Sequence, residues 1–520
     1  MPWQPTNQLE RERLEKLERL LERGIAAYPG PVERTYTAAA AIAAFEQAEQ
    51  QVTPESPAAP LIVIVCGRLK AMRISGKASF ADIEDGTGRV QLFVKQDGVG
   101  EATYDLFKRD LDLGDFVQVS GTMIRTRAGE ISVQASAITV LSKALSPLPV
   151  VKETEVDGQV TRYSAFSDTE ERYRQRYVDL AVNPATRDVF RARARAITAT
   201  RQFLDSENFL EVETPILQPV YGGAAARPFT THHNQLHQDL FLRISFELYL
   251  KRLLVGGFDA VYEIGRDFRN EGVSFKHNPE FTMLEFYKAY INYQGVMALT
   301  ERLIAAVAQA VNGSTTVQFR GHTIALGDPW VRRTMREAIR DVTGIDYGLY
   351  PTAAALAEVM HAHKMSFDPN ANWGKLIGHL FDLVEPTLIQ PTFIIDYPRD
   401  ISPFAKGVPG DALHVERFEG YIGGMEMCNA FTELNDPRDQ EQRFLDMAQL
   451  YKDDEDDATP IDEDYLRAMR YGMPPCGGFG MGIDRLVMLL TGQETIREVL
   501  LYPHLRARTN DSAADEPSAN

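Results

Sequence analysis

Phe268-Arg269-Asn270-Glu271-Gly272 is followed closely by His277-Asn278-Pro279-Glu280-Phe281-Thr282-Met283-Leu284-Glu285. Arg, Glu, His, Asn and aromatic side chains crowd one short stretch. The flanking segments, Val261–Gly265 and Phe281–Tyr287, read as strands. The pattern predicts a strand–loop–strand hairpin with a cation at the mouth of its loop. An arginine on a rigid strand can grip a phosphate through two parallel N–H bonds, which a lysine cannot do. The competing reading is a hairpin with a surface charge cluster.

Three further clusters carry chemistry. In Gly477-Gly478-Phe479-Gly480-Met481-Gly482-Ile483-Asp484-Arg485-Leu486, glycines leave a strand nearly bare, so a flat ligand can approach the backbone, although such a strand can also be purely structural. Arg485 then opens an apolar helix and can pair with a phosphate or stack over a purine. In Phe418-Glu419-Gly420-Tyr421-Ile422-Gly423-Gly424-Met425-Glu426-Met427, a turn at Gly423-Gly424 would bring Glu419 and Glu426 together. Two such carboxylates can hold Mg²⁺ with phosphate oxygens, or can be two solvated strand residues. In Asn429-Ala430-Phe431-Thr432-Glu433, positions 429, 431 and 433 share a strand face, as do Glu285 and Tyr287. Acids converging beside aromatics suit an ammonium on an apolar stem. Buried carboxylates are costly alone, so several together imply a cation. Glu247, in Phe246-Glu247-Leu248-Tyr249-Leu250, is a further candidate.

The elements that must position these residues begin with an amphipathic helix over about residues 8–25, built on Leu9, Leu14, Leu17, Leu20 and Leu21 and stopped by Gly24 and Pro29-Gly30-Pro31. Five short strands follow: Leu61–Gly67, Ala78–Glu84, Arg89–Val94, Phe116–Met123 and Glu130–Val140. With the turn Asp85-Gly86-Thr87-Gly88 and a helix over Glu101–Arg109 they fit an OB-type barrel. Such barrels stack single-stranded bases on aromatics beside basic groups, and Arg68, Arg73, Lys77, Phe80, Gln91, Phe93 and Glu130 supply the material. The alternative is a docking barrel with Phe80 in its core. Ala144–Asp168 reads as a linker, and Glu170–Tyr177, dense in Arg and aromatics, as an RNA-contacting or bracing segment.

A large unit then spans about 183–503, with a long helix over 185–207 and strands near 226–233, 240–245, 261–268, 281–291, 392–397, 415–422 and 425–435. Strands and helices do not alternate regularly, which argues against a doubly wound sheet. The chain has no P-loop and no GxGxxG in a βαβ unit. Its 520 residues allow two to four domains of roughly 150 residues each. The net charge of −18 argues against a protein that coats nucleic acid nonspecifically but leaves room for a local basic face. No apolar run approaches the ~18 residues of a membrane helix, and Leu61–Val65 is only a strand. Charged residues soon after Met1 and three isolated cysteines, Cys66, Cys428 and Cys476, predict no signal peptide, disulfide framework or zinc site, and a cytoplasmic protein.

Together the clusters resemble the class II lysyl-tRNA synthetases of bacteria. The helix before Pro215 is similar to that superfamily's first motif, Phe268–Tyr287 to the second and Gly480–Arg485 to the third. Gly222-Gly223-Ala224-Ala225-Ala226-Arg227-Pro228-Phe229, Tyr249-Leu250-Lys251-Arg252-Leu253 and Asn429–Pro437 add family markers, and the likeness runs from about residue 8 to 505. It implies an α+β fold: a helical extension over 1–58, an OB-type anticodon-binding β-barrel over 59–145, a linker over 146–182, a class II antiparallel-sheet catalytic domain with surrounding helices over 183–505, and a disordered acidic tail over 506–520. It implies activation of lysine with ATP and transfer to the terminal ribose of tRNA(Lys).

The same resemblance assigns roles. Arg269 and Arg485 are the catalytic arginines, Arg269 on the α-phosphate and Arg485 over the adenine or at the γ-phosphate. Asn270, Glu271, His277, Asn278, Phe281, Glu426, Met427, Gly482, Ile483 and Asp484 complete the ATP site, with Phe281 stacked on the base. Glu419 and Glu426 carry Mg²⁺, up to three ions. Gly223 and Glu247 take the lysine α-amino group; Glu285, Tyr287 and Glu433 take the ε-ammonium, with Asn429 and Phe431 nearby. Arg68, Phe80 and Gln91 are the anticodon candidates. A homodimer is implied, with no membrane and no DNA partner. Two departures are Met425, where many relatives carry Arg and which would alter the charge near ATP, and a longer segment at 150–163. Aspartyl- and asparaginyl-tRNA synthetases share the architecture, but Glu285 and Glu433 would repel an acidic substrate. A paralogue that lysylates protein would not need the barrel, and a dead scaffold would lose Arg269, Arg485 or the metal glutamates.

Overall fold

Alternating Val, Ile and Leu after residue 60 dictates strands with one buried face, and five of them close a barrel. The computed structural model describes residues 3–51, 59–149, 151–156, 159–164, 166–327, 329–450, 460–506 and 508. It divides into two units, Met1–Phe166 and Ser167–Asn520. The tail expected to be disordered lies outside the described residues except for 506 and 508.

The barrel strands are β1 (Ile62–Arg73), β2 (Ala78–Glu84), β3 (Arg89–Lys95), β4 (Phe116–Arg125) and β5 (Ile131–Ser142), ordered β1-β2-β3-β5-β4. The β3–β5 pairing is parallel. Val63, Val65, Leu69, Leu92, Val119 and Val133 fill the interior. Asp85 builds the β2–β3 turn, accepting the N–H groups of Thr87 at 2.7 Å and Gly88 at 3.2 Å. The first helix, Gln8–Glu22, starts at Asn7, whose side chain caps the Glu10 N–H. A second helix, Ala38–Gln50, went unread because its alanine run offers no clear apolar period. Within residues 144–168, read as a linker, lies an antiparallel hairpin, β6 (Val151–Val156) with β7 (Gln159–Ser164). Val, Thr and Tyr in these segments, separated by Asp157-Gly158, are hairpin signals that Pro147 and Pro149 had overshadowed.

In the second unit, Pro184 at the first position preorganises a long helix to Ser206. The strands that follow are β8 (Leu210–Glu211), β9 (Leu217–Gln218), β10 (Thr230–His233), β11 (Gln238–Leu242), β12 (Ala260–Phe268), β13 (Glu280–Ala289), β14 (Thr316–Phe319), β15 (His322–Ala325), β16 (Val331–Thr334), β17 (Thr392–Pro398), β18 (His414–Tyr421), β19 (Glu426–Thr432) and β20 (Cys476–Gly482). Eight of them form one sheet, ordered β16-β17-β18-β19-β20-β13-β12-β8. Only its two outer pairs, β16–β17 and β12–β8, are parallel, so the absence of a doubly wound sheet follows from the topology. Helices 184–206, Tyr293–Asn312 and Ile483–Thr491 contribute Ala196, Leu204, Leu303, Ile304, Leu486 and Leu489 to a core shared with Phe286 and Phe479 of the sheet. Met335–Thr343, Ala353–Ala362 and Trp373–Phe381, to which the sequence reading gave no elements, pack a separate core around Ile339, Leu356 and Leu376.

Candidate active site

The register of the sheet decides which side chains meet. One row runs Glu263–Glu285–Gly480–Asn429–Glu419 across β12, β13, β20, β19 and β18. The adjacent row on the same face runs Val261–Tyr287–Gly478–Phe431–Arg417. Glycine falls in the central strand of both rows. A side-chain carbon at 478 would collide with Glu433 Oε1 and the Tyr287 ring. The bare strand is therefore a floor, with a cavity of about 610 Å³ above it.

At one end the cavity is cationic and aromatic. Arg269 follows β12, its guanidinium 5.1 Å from the Phe281 ring centre, and its buried Nε has no hydrogen-bond partner among the described residues. Burial and the charges of Arg485 and Lys276 hold the His277 ring below its usual range, so it is neutral at pH 7; its Nδ1 lies 2.9 Å from Ser274 Oγ. Arg485 Nη1 donates to the Glu426 carbonyl at 2.6 Å and to its Oε2 at 3.1 Å. Burial pushes the Glu426 carboxyl up, but Arg485, with Arg417 and Arg269, outweighs it and holds the group below the ordinary range. Glu419 accepts from Tyr397 at 2.9 Å and from Arg417 at 2.6 Å. Burial raises its pKa, Arg417 opposes this, and the negative charge of Glu426 adds to the rise. The turn between them is a two-residue hairpin in which Gly423 (φ 63) and Gly424 (φ 67) both take the left-handed conformation, and Ile422 and Met425 exchange hydrogen bonds.

At the other end the cavity is acidic. Gly223, at φ +87, lies where any Cβ would press within 3.0 Å of Ser245 Oγ and Glu247 Cβ. Glu285 accepts from Ser245 Oγ at 2.8 Å and Tyr287 OH at 3.2 Å. Burial, then the negative charges of Asp267 and Glu247, push its carboxyl up to about 8. Burial also raises Glu247, whose Oε1 meets Lys251 Nζ at 2.6 Å. Beneath this wall Arg243, stacked 3.9 Å from the Phe246 ring centre, binds Glu263 at 2.6 Å. Asp267 lies 3.4 Å from Arg243 Nε, off the hydrogen-bond direction, and burial lifts it to about 7.

The cavity wall includes Gly223, Glu247, Arg269, Glu271, His277, Asn278, Phe281, Glu285, Tyr287, Glu419, Glu426, Met427, Asn429, Phe431, Gly482, Asp484 and Arg485 from the sequence reading. Four residues differ from the expectation. Asn270 is exposed and off the wall, its N–H on the Arg227 carbonyl. Ile483 belongs to the apolar core. Asp484 touches the cavity, but its carboxylate is committed to Arg193 at 2.5 Å and the Thr282 N–H at 2.9 Å, tying the long helix to β13. Glu433 is fully buried on the cavity side of Gly478, beside the Tyr287 ring and against Lys251, and is not itself part of the wall. Likewise the Met425 side chain points into the core, not toward the cavity. Asn278 also spends its amide locally, on the Glu280 carbonyl at 2.6 Å and the His504 N–H at 3.1 Å. Lys251 and Arg417 were missed. Their signals were a Glu-to-Lys spacing of four on a helix and a shared strand face with Glu419.

In the first unit, Phe80 stacks on Phe93 at 4.8 Å, with Lys95 Nζ 5.0 Å from the Phe93 ring centre. Phe80 is half-buried on the outer face, not in the core, and Gln91, paired with Asp82, shares that face. Arg68 is offset along the strand: it pairs with Glu84 while Arg73 pairs with Phe80, and its guanidinium lies 4.3 Å from the Phe116 ring centre.

Residues 168–506 match the tRNA synthetases class II (D, K and N), and residues 63–141 match the OB-fold nucleic acid binding domain. A lysine–tRNA ligase of Roseiflexus castenholzii is 50% identical over 507 residues, covering 96% of this chain and 99% of that protein. One from Pelotomaculum thermopropionicum is 49% identical over 505 residues, 96% of each. One from Moorella thermoacetica is 49% identical over 510 residues, 98% of this chain and 100% of that protein. The chain belongs to the class II tRNA synthetases, in the lysine–tRNA ligase family.

Proposed function

We propose that the chain activates lysine with ATP and transfers it to the terminal ribose of tRNA(Lys). The observation that carries this reading is one cavity with a cationic, aromatic end and a buried acidic end joined over a glycine floor. Arg269, whose Nε has no hydrogen-bond partner among the described residues, holds the α-phosphate, and Phe281 stacks on the adenine. Arg485 flanks the nucleotide from the other side. Glu285, Tyr287 and Glu433 receive the ε-ammonium, and Gly223 and Glu247 the α-ammonium.

The lysine carboxylate is already a nucleophile, so no general base is required. Its oxygen attacks the α-phosphorus, pyrophosphate leaves, and a ribose hydroxyl of tRNA then attacks the carbonyl of the adenylate as AMP departs. The chain's residues position the reactants and neutralise charge. Glu419 and Glu426 fit Mg²⁺: each is on the cavity wall, and the charge of Glu426 raises Glu419, a repulsion that a cation would relieve. Mg²⁺ would neutralise phosphate charge there. Among the described residues no cluster of three or more acidic, His or Cys ligands supports a separate metal site, so remaining ligands would come from ATP and water. Phe80 and Gln91 offer the anticodon a stacking face. The family resemblance supports a cytoplasmic homodimer. No helix among the described residues is long and apolar enough to cross a membrane.

ATP–pyrophosphate exchange with Mg²⁺ and each of the twenty amino acids, without tRNA, tests the reading. Exchange with lysine alone supports it. Exchange with aspartate or asparagine, or with none even after tRNA is added, overturns it.

A further inference from the structure

Three carboxylates, Glu247, Glu285 and Glu433, are buried at the acidic end of the cavity, and one cation, Lys251, is buried with them. Lys251 stands one helical turn after Glu247, where side chains spaced by four residues meet. Its Nζ lies 2.6 Å from Glu247 Oε1 and in ion-pair contact with Glu433 Oε2. The rings of Phe404 at 4.7 Å, Phe431 at 5.4 Å, Tyr287 at 5.8 Å and Tyr465 at 6.0 Å surround it. The other oxygen, Glu433 Oε1, accepts no hydrogen bond among the described residues. Glu433 Oε1 lies over Gly478, which is part of the cavity floor, and Glu247 is part of the wall.

We infer that Lys251 is a positioning residue for lysine selection: one ammonium spans the carboxylates Glu247 and Glu433, fixes one oxygen of each, and leaves the other oxygen of each to the substrate's own ammonium groups. The inference rests on lysine occupying this end of the cavity. The physical reason is charge. Carboxylates buried this close without a cation take up protons. A protonated acid offers an ammonium a donor where it needs an acceptor. Lys251 lets more of the cluster stay ionised before substrate arrives, and its fixed position aims the acids.

The groups that face it come from several elements. They are Glu247 on its own helix, Glu285 and Tyr287 on β13, Glu433 just after β19, Cys476 on β20 and Tyr465 on the helix Glu463–Arg470; Arg417 acts on Glu247 and Asp267 on Glu285. With the ammonium removed, this cluster takes up additional proton, which the substrate must then expel.

Calorimetric titration of the full chain with lysine, in two pH 7.5 buffers of different ionisation enthalpy, counts those protons. The variant Lys251→Met is expected to release about one more proton per lysine bound than the unmodified protein, and to bind lysine at least about tenfold more weakly, with ATP affinity within about twofold. In a Glu433→Gln background the same substitution would cost much less lysine affinity. An unchanged proton count, equal losses for ATP and lysine, or equal costs in both backgrounds overturns the inference. An unmodified protein that binds no lysine overturns the underlying reading instead. If Lys251→Met does not fold, a ligand-free crystal structure decides: Nζ within about 4 Å of both carboxylates supports the bridge, and separation from either refutes it.

Discussion

Lysine capture by this protein is expected to depend on pH through Glu285. The carboxyl sits on β13 at 5% exposure, and burial, reinforced by Asp267 and Glu247, pushes it up to about 8. Ser245 and Tyr287 donate to it and oppose the rise without cancelling it. In the free protein at pH 7 the group therefore carries its proton in about nine molecules of ten. An ammonium needs the anion. Lysine must expel that proton below pH 8, whereas above pH 8 the proton is already gone. The kcat/KM for lysine in ATP–pyrophosphate exchange then rises about fivefold from pH 7 to 8, levels off near pH 9, and falls about tenfold per unit below pH 7. The kcat/KM for ATP, measured at saturating lysine over the same range, reports the arginine-lined end and serves as the control. Glu285→Gln keeps an acceptor for Ser245 but removes the charge. Losing a charged hydrogen bond costs roughly 1.5–3 kcal/mol, or about 10–150-fold in lysine kcat/KM, and the pH slope disappears with it. A flat profile in the unmodified protein, or the same slope in Glu285→Gln, refutes the reasoning.

Three other expectations follow from the same geometry. Asp267, raised to about 7, binds its proton more tightly folded than unfolded, so its contribution to stability is present at acid pH and lost as pH rises toward 7; Asp267→Asn is expected to recover up to about 4 kcal/mol at pH 8, read as a higher Tm that vanishes near pH 4, and an unchanged Tm at pH 8 counts against it. Gly478→Ala drives a methyl into Glu433 and Tyr287, which overpacks the floor at about 1–3 kcal/mol; lysine KM rises while ATP KM holds, and an equal rise in both would contradict the placement. Phe80→Ala removes the outward ring of the Phe80–Phe93 stack and is expected to weaken tRNA by about 1–3 kcal/mol in aminoacylation while tRNA-free exchange stays unchanged; Arg68→Ala, away from that stack, would affect tRNA less.

The legible parts of this chain were those whose signal is local. The barrel strands could be read because their apolar residues alternate and Asp85-Gly86-Thr87-Gly88 announces a turn. The Gly423-Gly424 hairpin could be read because two consecutive left-handed residues suit a two-residue turn. The Arg269, Glu419 and Glu285 clusters carry dense chemistry within one or two strands. The hairpin at 151–164 was lost because prolines beside it outweighed a weaker β pattern, and the Ala38–Gln50 helix because alanine has high propensity but no face. Asp484 and Glu433 show a different limit. Each stands inside a motif beside positions proposed to bind ligand, yet its contacts lie on elements distant in sequence: Arg193 on the long helix for one, Lys251 for the other.

The placement of glycine links these limits to function. Gly478 and Gly480 lie between the β13 residues Tyr287 and Glu285 on one side and the β19 residues Phe431 and Asn429 on the other. Their lack of side chains lets acids from β13 and from the segment after β19 approach one another across a single strand. That approach makes the acidic end costly when empty, because like charges share a dry volume. The same approach gives it an advantage for a substrate with two ammonium groups over one with a side-chain carboxylate. One buried lysine moderates the cost without removing the selectivity. Selection of lysine on this scaffold is thus a property of sheet register as much as of the acids themselves: a one-residue slip of β20 would turn Phe479 toward the cavity and close the floor.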